Sequence, residues 1–141
     1  MIEQPSIRVG VGIMILKDGQ ILLGKRKGVH GAGEFAFPGG HLEYLEGFAA
    51  CAKREIREEC GIEIENLRFQ MLGNVTAYAP RHYVHIGFVA DYKSGEPQVL
   101  EPEKLESWGW YSLDNLPSPL FNTINQAISS YKTGQNFFDI E

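Results

Sequence analysis

The sequence predicts an α+β fold in one domain, an α/β/α sandwich around a mixed β-sheet. Three observations predict it. The 141 residues are 43% apolar and 22% charged, which suits one ordinary hydrophobic core. Segments of strand and helix character follow each other as strands, helix, strands, helix, unlike the regular alternation of a doubly wound sheet. No repeat, low-complexity tract or shift of composition marks a linker, so residues 1–141 read as one unit.

Each element has a local reason. Residues 7–16 (IRVGVGIMIL) are apolar and rich in β-branched side chains, so they predict a buried strand. Asp18-Gly19 supplies a turn, and residues 20–26 (QILLGKR) resume as the second strand of a hairpin. Gly28, Gly31, Gly33, Gly39 and Gly40 make 28–40 a glycine-dense loop with the apolar piece Phe35-Ala36-Phe37 inside it. Residues 47–60 predict a helix, stopped by Gly61. On that helix Ala49, Ala52, Ile56 and Cys60 share one arc, which is expected to face the core.

Further strands are expected over 67–76, 83–92 and 107–112, with an acidic loop (Glu101, Glu103, Glu106) before the last. A closing helix over 120–132 carries Phe121, Ile124, Ala127, Ile128 and Tyr131 as its apolar stripe. Trp108 and Trp110 share a strand face and read as packing. His82 and His85 lie three apart on a strand, hence on opposite faces, and cannot hold one ion.

Composition excludes several classes. A net charge of -5 and a pI near 5.4 disfavour a surface that tracks a nucleic-acid polymer. The longest apolar run, Val9 to Leu16, falls far short of the roughly 20 residues that cross a bilayer. It also lacks the flanks of a secretory signal, so no membrane association and a cytoplasmic location are expected. Cys51 and Cys60, nine residues apart on one helix, would lie roughly 13 Å apart on opposite faces. Two free thiols and a reducing compartment follow.

The chemistry concentrates in 46–62 (EGFAACAKREIREECGI), where Glu55, Glu58 and Glu59 share an arc away from the core. Glu55 and Glu59 are like charges at i, i+4, which costs an isolated helix about 0.2–0.5 kcal/mol. They also stand near the negative end of the helix dipole. A bound divalent cation would explain the arrangement. Carboxylates without Cys or His suit a hard ion, Mg²⁺ or alternatively Mn²⁺, better than zinc.

From Gly40 the pattern runs on through Glu46, Arg54-Glu55-Ile56, Glu58-Glu59 and Gly61-Ile62. This resembles the complete Nudix box of the Nudix hydrolases. LLGKRKG (22–28), GAGEFAFPGGHLE (31–43), EPEK (101–104) and LPSPLF (116–121) extend the likeness to the MutT-like branch, which includes plant and animal cytosolic nucleoside triphosphate diphosphatases of the 8-oxo-dGTP type. The resemblance implies the same sandwich fold and hydrolysis of a nucleoside diphosphate linked to a further group, with Mg²⁺ or Mn²⁺.

Carried over by position, Glu55, Glu58 and Glu59 become metal ligands, and Glu55 also the group that orients or deprotonates the attacking water. Arg54 holds a carboxylate in place, the Gly39 carbonyl completes the metal set, and Glu46 forms a salt bridge. A further carboxylate from the acidic loop is expected at Glu103. Lys25 and Arg26 are expected to hold phosphates, Phe121 to stack on the base, and His85 to border the nucleoside.

Asn122, His85 and Leu45 depart from the branch pattern around that nucleoside pocket. The leading expectation is a small nucleotide as partner: cleavage of nucleoside triphosphates, dNTPs or oxidised dGTP, to monophosphate and pyrophosphate. Alternatives are ADP-ribose, nucleotide sugars, dinucleoside polyphosphates, an isoprenoid diphosphate, or a sensing module without turnover. Exposed strand edges and Phe137-Phe138 offer a surface for a homodimer.

Overall fold

The computed structural model describes residues 5–28 and 30–140. β1 (Ile7–Lys17) and β2 (Gln20–Arg26) form the expected antiparallel hairpin, pairing Leu16 with Ile21 and Lys17 with Gln20. Asp18 and Gly19 both take positive φ, 50° and 77°, the two-residue turn whose twist matches its strands.

The glycine-dense loop contains two short strands that the sequence did not announce. β3 (Phe35–Ala36) pairs with β2, and β4 (Gly39–His41) pairs with the first half of β1. Pieces of two and three residues are too short to show a period. α1 (Phe48–Cys60) follows, closed by Gly61 in the left-handed conformation, whose N–H donates to the Ile56 and Arg57 carbonyls.

β5 (Glu63–Val75) and β6 (His82–Ser94) form a long antiparallel pair, both longer than expected. β6 runs parallel to β1 from Ile7–His82 to Leu16–Asp91, which makes the sheet mixed. β7 (Leu105–Ser112) pairs with β2, α2 (Asn122–Thr133) follows, and β8 (Phe137–Phe138) adds to β5. The order is β3-β2-β1-β6-β5-β8, with β4 beside β1 and β7 beside β2.

Strand alternation divides the core in two. Ile13, Ile15, Leu22, Phe88 and Ala90 pack with Cys51, Ala52, Ile56 and Cys60 of α1. The intervening Met14, Ile21, Leu23 and Val89 pack with Ile124, Ala127 and Ile128 of α2 on the other face. Strands buried on both faces have to be apolar throughout, which is why β1 reads as an unbroken run. Trp108 and Trp110 pack against the α1 layer, as expected.

Two expectations about helix faces need correction. Ala49 is exposed and Cys51 takes its place in the core, because the start of α1 leans on β4, where the Cys51 thiol meets the His41 carbonyl at 3.7 Å. Both cysteines are therefore buried in one layer, as free thiols that burial pushes up to about 12. Tyr131 projects from α2 into solvent, beyond the layer its stripe was expected to complete. No helix among the described residues is long and apolar enough to cross a membrane.

Candidate active site

Arg54 is the hub of the acidic segment. Its Nε and Nη2 donate to the two oxygens of Glu46 at 2.7 and 2.9 Å, a bidentate pair that fixes the guanidinium plane. Nη1 then points at Glu55 (2.7 Å) and Glu58 (3.2 Å), while Nη2 also donates to the His41 carbonyl at 3.2 Å. Arg54 holds the Glu46 carboxyl down at about 2, and the same bonds push the Arg54 pKa up. Glu46 thus makes the salt bridge expected of it.

Glu55 and Glu59 stand one turn apart on α1 and both line the same cavity, near enough for each to act on the other's titration. Burial pushes both upward, Glu59 strongly; the Gly39 N–H, donating to Glu59 Oε1 at 3.0 Å, and Arg54 beside Glu55 oppose it. The approach of β4 requires glycine: a Cβ on Gly40 would run into the Glu55 carboxyl, and one on Gly39 into the Val11 carbonyl.

A close carboxylate pair is a donor set for a hard divalent cation, which would offset the repulsion between the two charges. Glu58 is half-exposed and turned to Arg54. Among the described residues no three acidic, His or Cys side chains converge into a ready cage.

The pair opens into a cavity of about 650 Å³. Across it stands Arg26, whose pKa burial lowers and the charge of Glu59 chiefly supports. No carboxylate lies within ion-pair distance of Arg26 among the described residues; its Nε donates to the His30 carbonyl at 3.3 Å. The guanidinium lies 4.7 Å from the Phe121 ring centroid, and Tyr78 stacks on the same ring at 4.3 Å. His85 lines the floor in a slot left by Gly10 and Gly12 of the neighbouring strand. Desolvation pushes His85 down to about 4, so it is neutral, and it has no hydrogen-bond partner among the described residues.

The NUDIX domain family model matches residues 6–131. The chain belongs to this family. Among curated relatives, an NAD-capped RNA hydrolase NudC of Pseudomonas aeruginosa is 31% identical over 115 residues, 82% of this chain and 40% of that protein. Another protein of that name, from Photorhabdus laumondii, is 35% identical over 128 residues, 88% of this chain and 47% of that protein. The chain thus spans less than half the length of these relatives.

Among solved structures, a MutT NUDIX hydrolase from Burkholderia pseudomallei superposes with a TM-score of 0.84 at 39% identity, covering 89% of this chain and 98% of that one. An ADP-ribose pyrophosphatase from Streptococcus suis has a TM-score of 0.69 at 21% identity, covering 97% and 100%, and shares the fold.

Within this Nudix domain the other candidates separate. Arg26, His85, Phe121, Gly39, Glu55 and Glu59 all line the cavity. Lys25 does not: neighbours on a strand point to opposite faces, and Lys25 pairs with Glu106 at 3.4 Å. Glu103 is exposed, whereas Glu101 is half-buried, held by Lys104 at 3.5 Å, and near enough for its charge to act on Glu59. Of the acids in that loop, Glu101 is the one whose charge acts on Glu59. His82 bonds Asn74 at 2.6 Å, apart from His85, as strand parity requires.

Sequence reasoning missed His30, Tyr78, Arg81, Tyr83 and Lys104 as pocket residues. His30, Tyr78 and Arg81 lie in loops outside the quoted motifs, Tyr83 opens β6, and Lys104 closes EPEK without its letters showing that it reaches the cavity. The available signal was the clustering of aromatic and basic residues in 78–83 (YAPRHY).

Proposed function

We propose that this chain is a Mg²⁺-dependent hydrolase of nucleoside triphosphates, adding water across a phosphoanhydride to give nucleoside monophosphate and pyrophosphate. One observation carries the reading. The cavity sets the partly buried carboxylate pair, of which Glu59 has no cationic side chain within ion-pair distance, opposite the partly buried guanidinium of Arg26, which has no carboxylate within that distance among the described residues. A metal–phosphate complex answers both needs at once.

A cation bound by Glu55 and Glu59 would neutralise phosphate charge and acidify a bound water. Glu55, kept in place by Arg54, accepts the proton of the attacking water. Arg26 takes phosphate oxygens, with Arg81 and Lys104 adding positive potential along the wall. His85, neutral and unpartnered, offers one donor and one acceptor to the nucleoside. Confining catalysis to positioning and charge stabilisation suits phosphoryl transfer, which needs little covalent help.

The NudC relatives favour a second reading, cleavage of the pyrophosphate in NAD or an NAD cap by the same groups. The net charge of -5 weighs against a long RNA track. The test is a panel of dNTPs, oxidised dGTP, NAD, ADP-ribose and NAD-capped RNA with Mg²⁺, products separated by chromatography. Monophosphate plus pyrophosphate from triphosphates is the expected result. Turnover confined to NAD or its capped RNA would replace the lead reading with the second.

A further inference from the structure

Three segments distant in sequence meet at the hydroxyl of Tyr78. It donates to Glu34 Oε1 at 2.8 Å and accepts the Asn122 N–H, also at 2.8 Å. Glu34 comes from the glycine-dense loop, Asn122 opens α2, and Tyr78 lies between β5 and β6. A phenol used as donor and acceptor at once has its ring direction fixed.

That ring stacks on Phe121 at 4.3 Å with 15° between the planes. Phe121 is confined on another side by Gly31, at φ +72°, where a Cβ would sit 2.7 Å from the ring. Over the same ring lies the Arg26 guanidinium. Phe121 is thus already engaged by a phenol, a glycine backbone and a cation, and is not an open platform for a base. A long arginine side chain, with no carboxylate in ion-pair distance among the described residues, otherwise loses much rotamer entropy on binding an anion. Stacking prepays that ordering.

We propose that Tyr78 is a positioning residue for phosphate recognition: fixed by Glu34 and the Asn122 N–H, it braces Phe121, which holds the Arg26 guanidinium toward the anionic part of the substrate. This rests on the phosphoanhydride reading above, and it moves Phe121 from base stacking to the support of Arg26.

The probe is inorganic pyrophosphate with Mg²⁺, followed by calorimetry on the intact chain, beside KM and kcat for the four dNTPs. Tyr78→Ala is expected to weaken pyrophosphate binding about tenfold, the scale of a lost partly desolvated cation–π support. KM should rise by a similar factor for every dNTP, with the ranking of bases retained. In an Arg26→Lys background the same change should add less than about twofold, because the brace then has nothing to hold. Tyr78→Phe and Glu34→Gln keep the ring and remove only the lock; each should weaken pyrophosphate about two- to fivefold, within what one hydrogen bond contributes.

A reordered base preference in Tyr78→Ala with pyrophosphate affinity intact would make the ring a base platform and overturn the inference. So would losses that simply multiply with Arg26→Lys, or no effect from either lock variant. If the wild type binds pyrophosphate but hydrolyses no dNTP, the proposed function fails while the pyrophosphate measurements still decide this inference. If it hydrolyses dNTPs and Tyr78→Ala binds pyrophosphate normally, this inference fails alone.

Discussion

Glu46 and Arg54 are joined by two parallel bonds of 2.7 and 2.9 Å, and the remaining guanidinium nitrogen lies 2.7 Å from the Glu55 carboxylate. Glu46 therefore reaches the reacting centre only through Arg54. Glu46→Gln should cut kcat/KM by about 10- to 100-fold, the usual cost of losing a group that orients a metal ligand. The matching readout is a higher Mg²⁺ requirement with the far-ultraviolet circular dichroism spectrum retained.

Glu59→Gln separates activity from stability. It removes one charge of a buried like-charged pair, so in the absence of Mg²⁺ the melting temperature should hold or rise. Hydrolysis should fall by about 10² or more, since a ligand of the cation is lost. Activity and melting temperature measured on the same preparation check both halves.

Gly40→Ala tests the approach of β4 to α1. The new Cβ would meet the Glu55 carboxyl, so the carboxylate must swing away or the strand must shift. Activity should be lost more completely than stability, because a flexible carboxylate can yield where backbone does not. Comparing Gly40→Ala with Gly39→Ala is informative: at Gly39 the obstacle is the Val11 carbonyl, so destabilisation should dominate there.

His85 gives a signed pH dependence. Its pKa lies near 4 in the fold, below the ordinary 6.5, so the unfolded chain binds more protons between those values. The contribution of neutral His85 to stability is thus complete above about 6.5 and is lost as pH falls toward 4. Glu55 and Glu59, raised in the fold, act with the opposite sign, so the isolating measurement is a difference. Urea unfolding of the wild type and His85→Gln between pH 7 and pH 4.5, without Mg²⁺, should show the wild type losing stability faster on acidification.

The acidic helix was legible because its signal is local. Glu55, Glu58 and Glu59 lie within five residues, and helical periodicity alone predicts that they share an arc. The mixed sheet was legible as a class from the order of its segments. Strand parity was not: Lys25 and Arg26 are equivalent as letters, and only the packing of β2 between β1 and β7 decides which faces the cavity.

The far wall was illegible for a related reason. Tyr78, Arg81 and Lys104 come from loops whose meeting depends on the whole sheet, and β3 and β4 are too short for any period to reveal. Glu101 and Glu103 differ by two positions in one irregular loop, where neither helical nor strand alternation applies.

The most direct test of the account is the affinity for Mn²⁺, followed by electron paramagnetic resonance, with a non-hydrolysable nucleoside triphosphate present. The carboxylate pair predicts tight binding by the wild type, weakened about tenfold or more in Glu59→Gln, as expected when a charged ligand becomes a neutral one. Equal Mn²⁺ affinity in the two proteins would contradict it, and the cation would have to sit elsewhere than between Glu55 and Glu59.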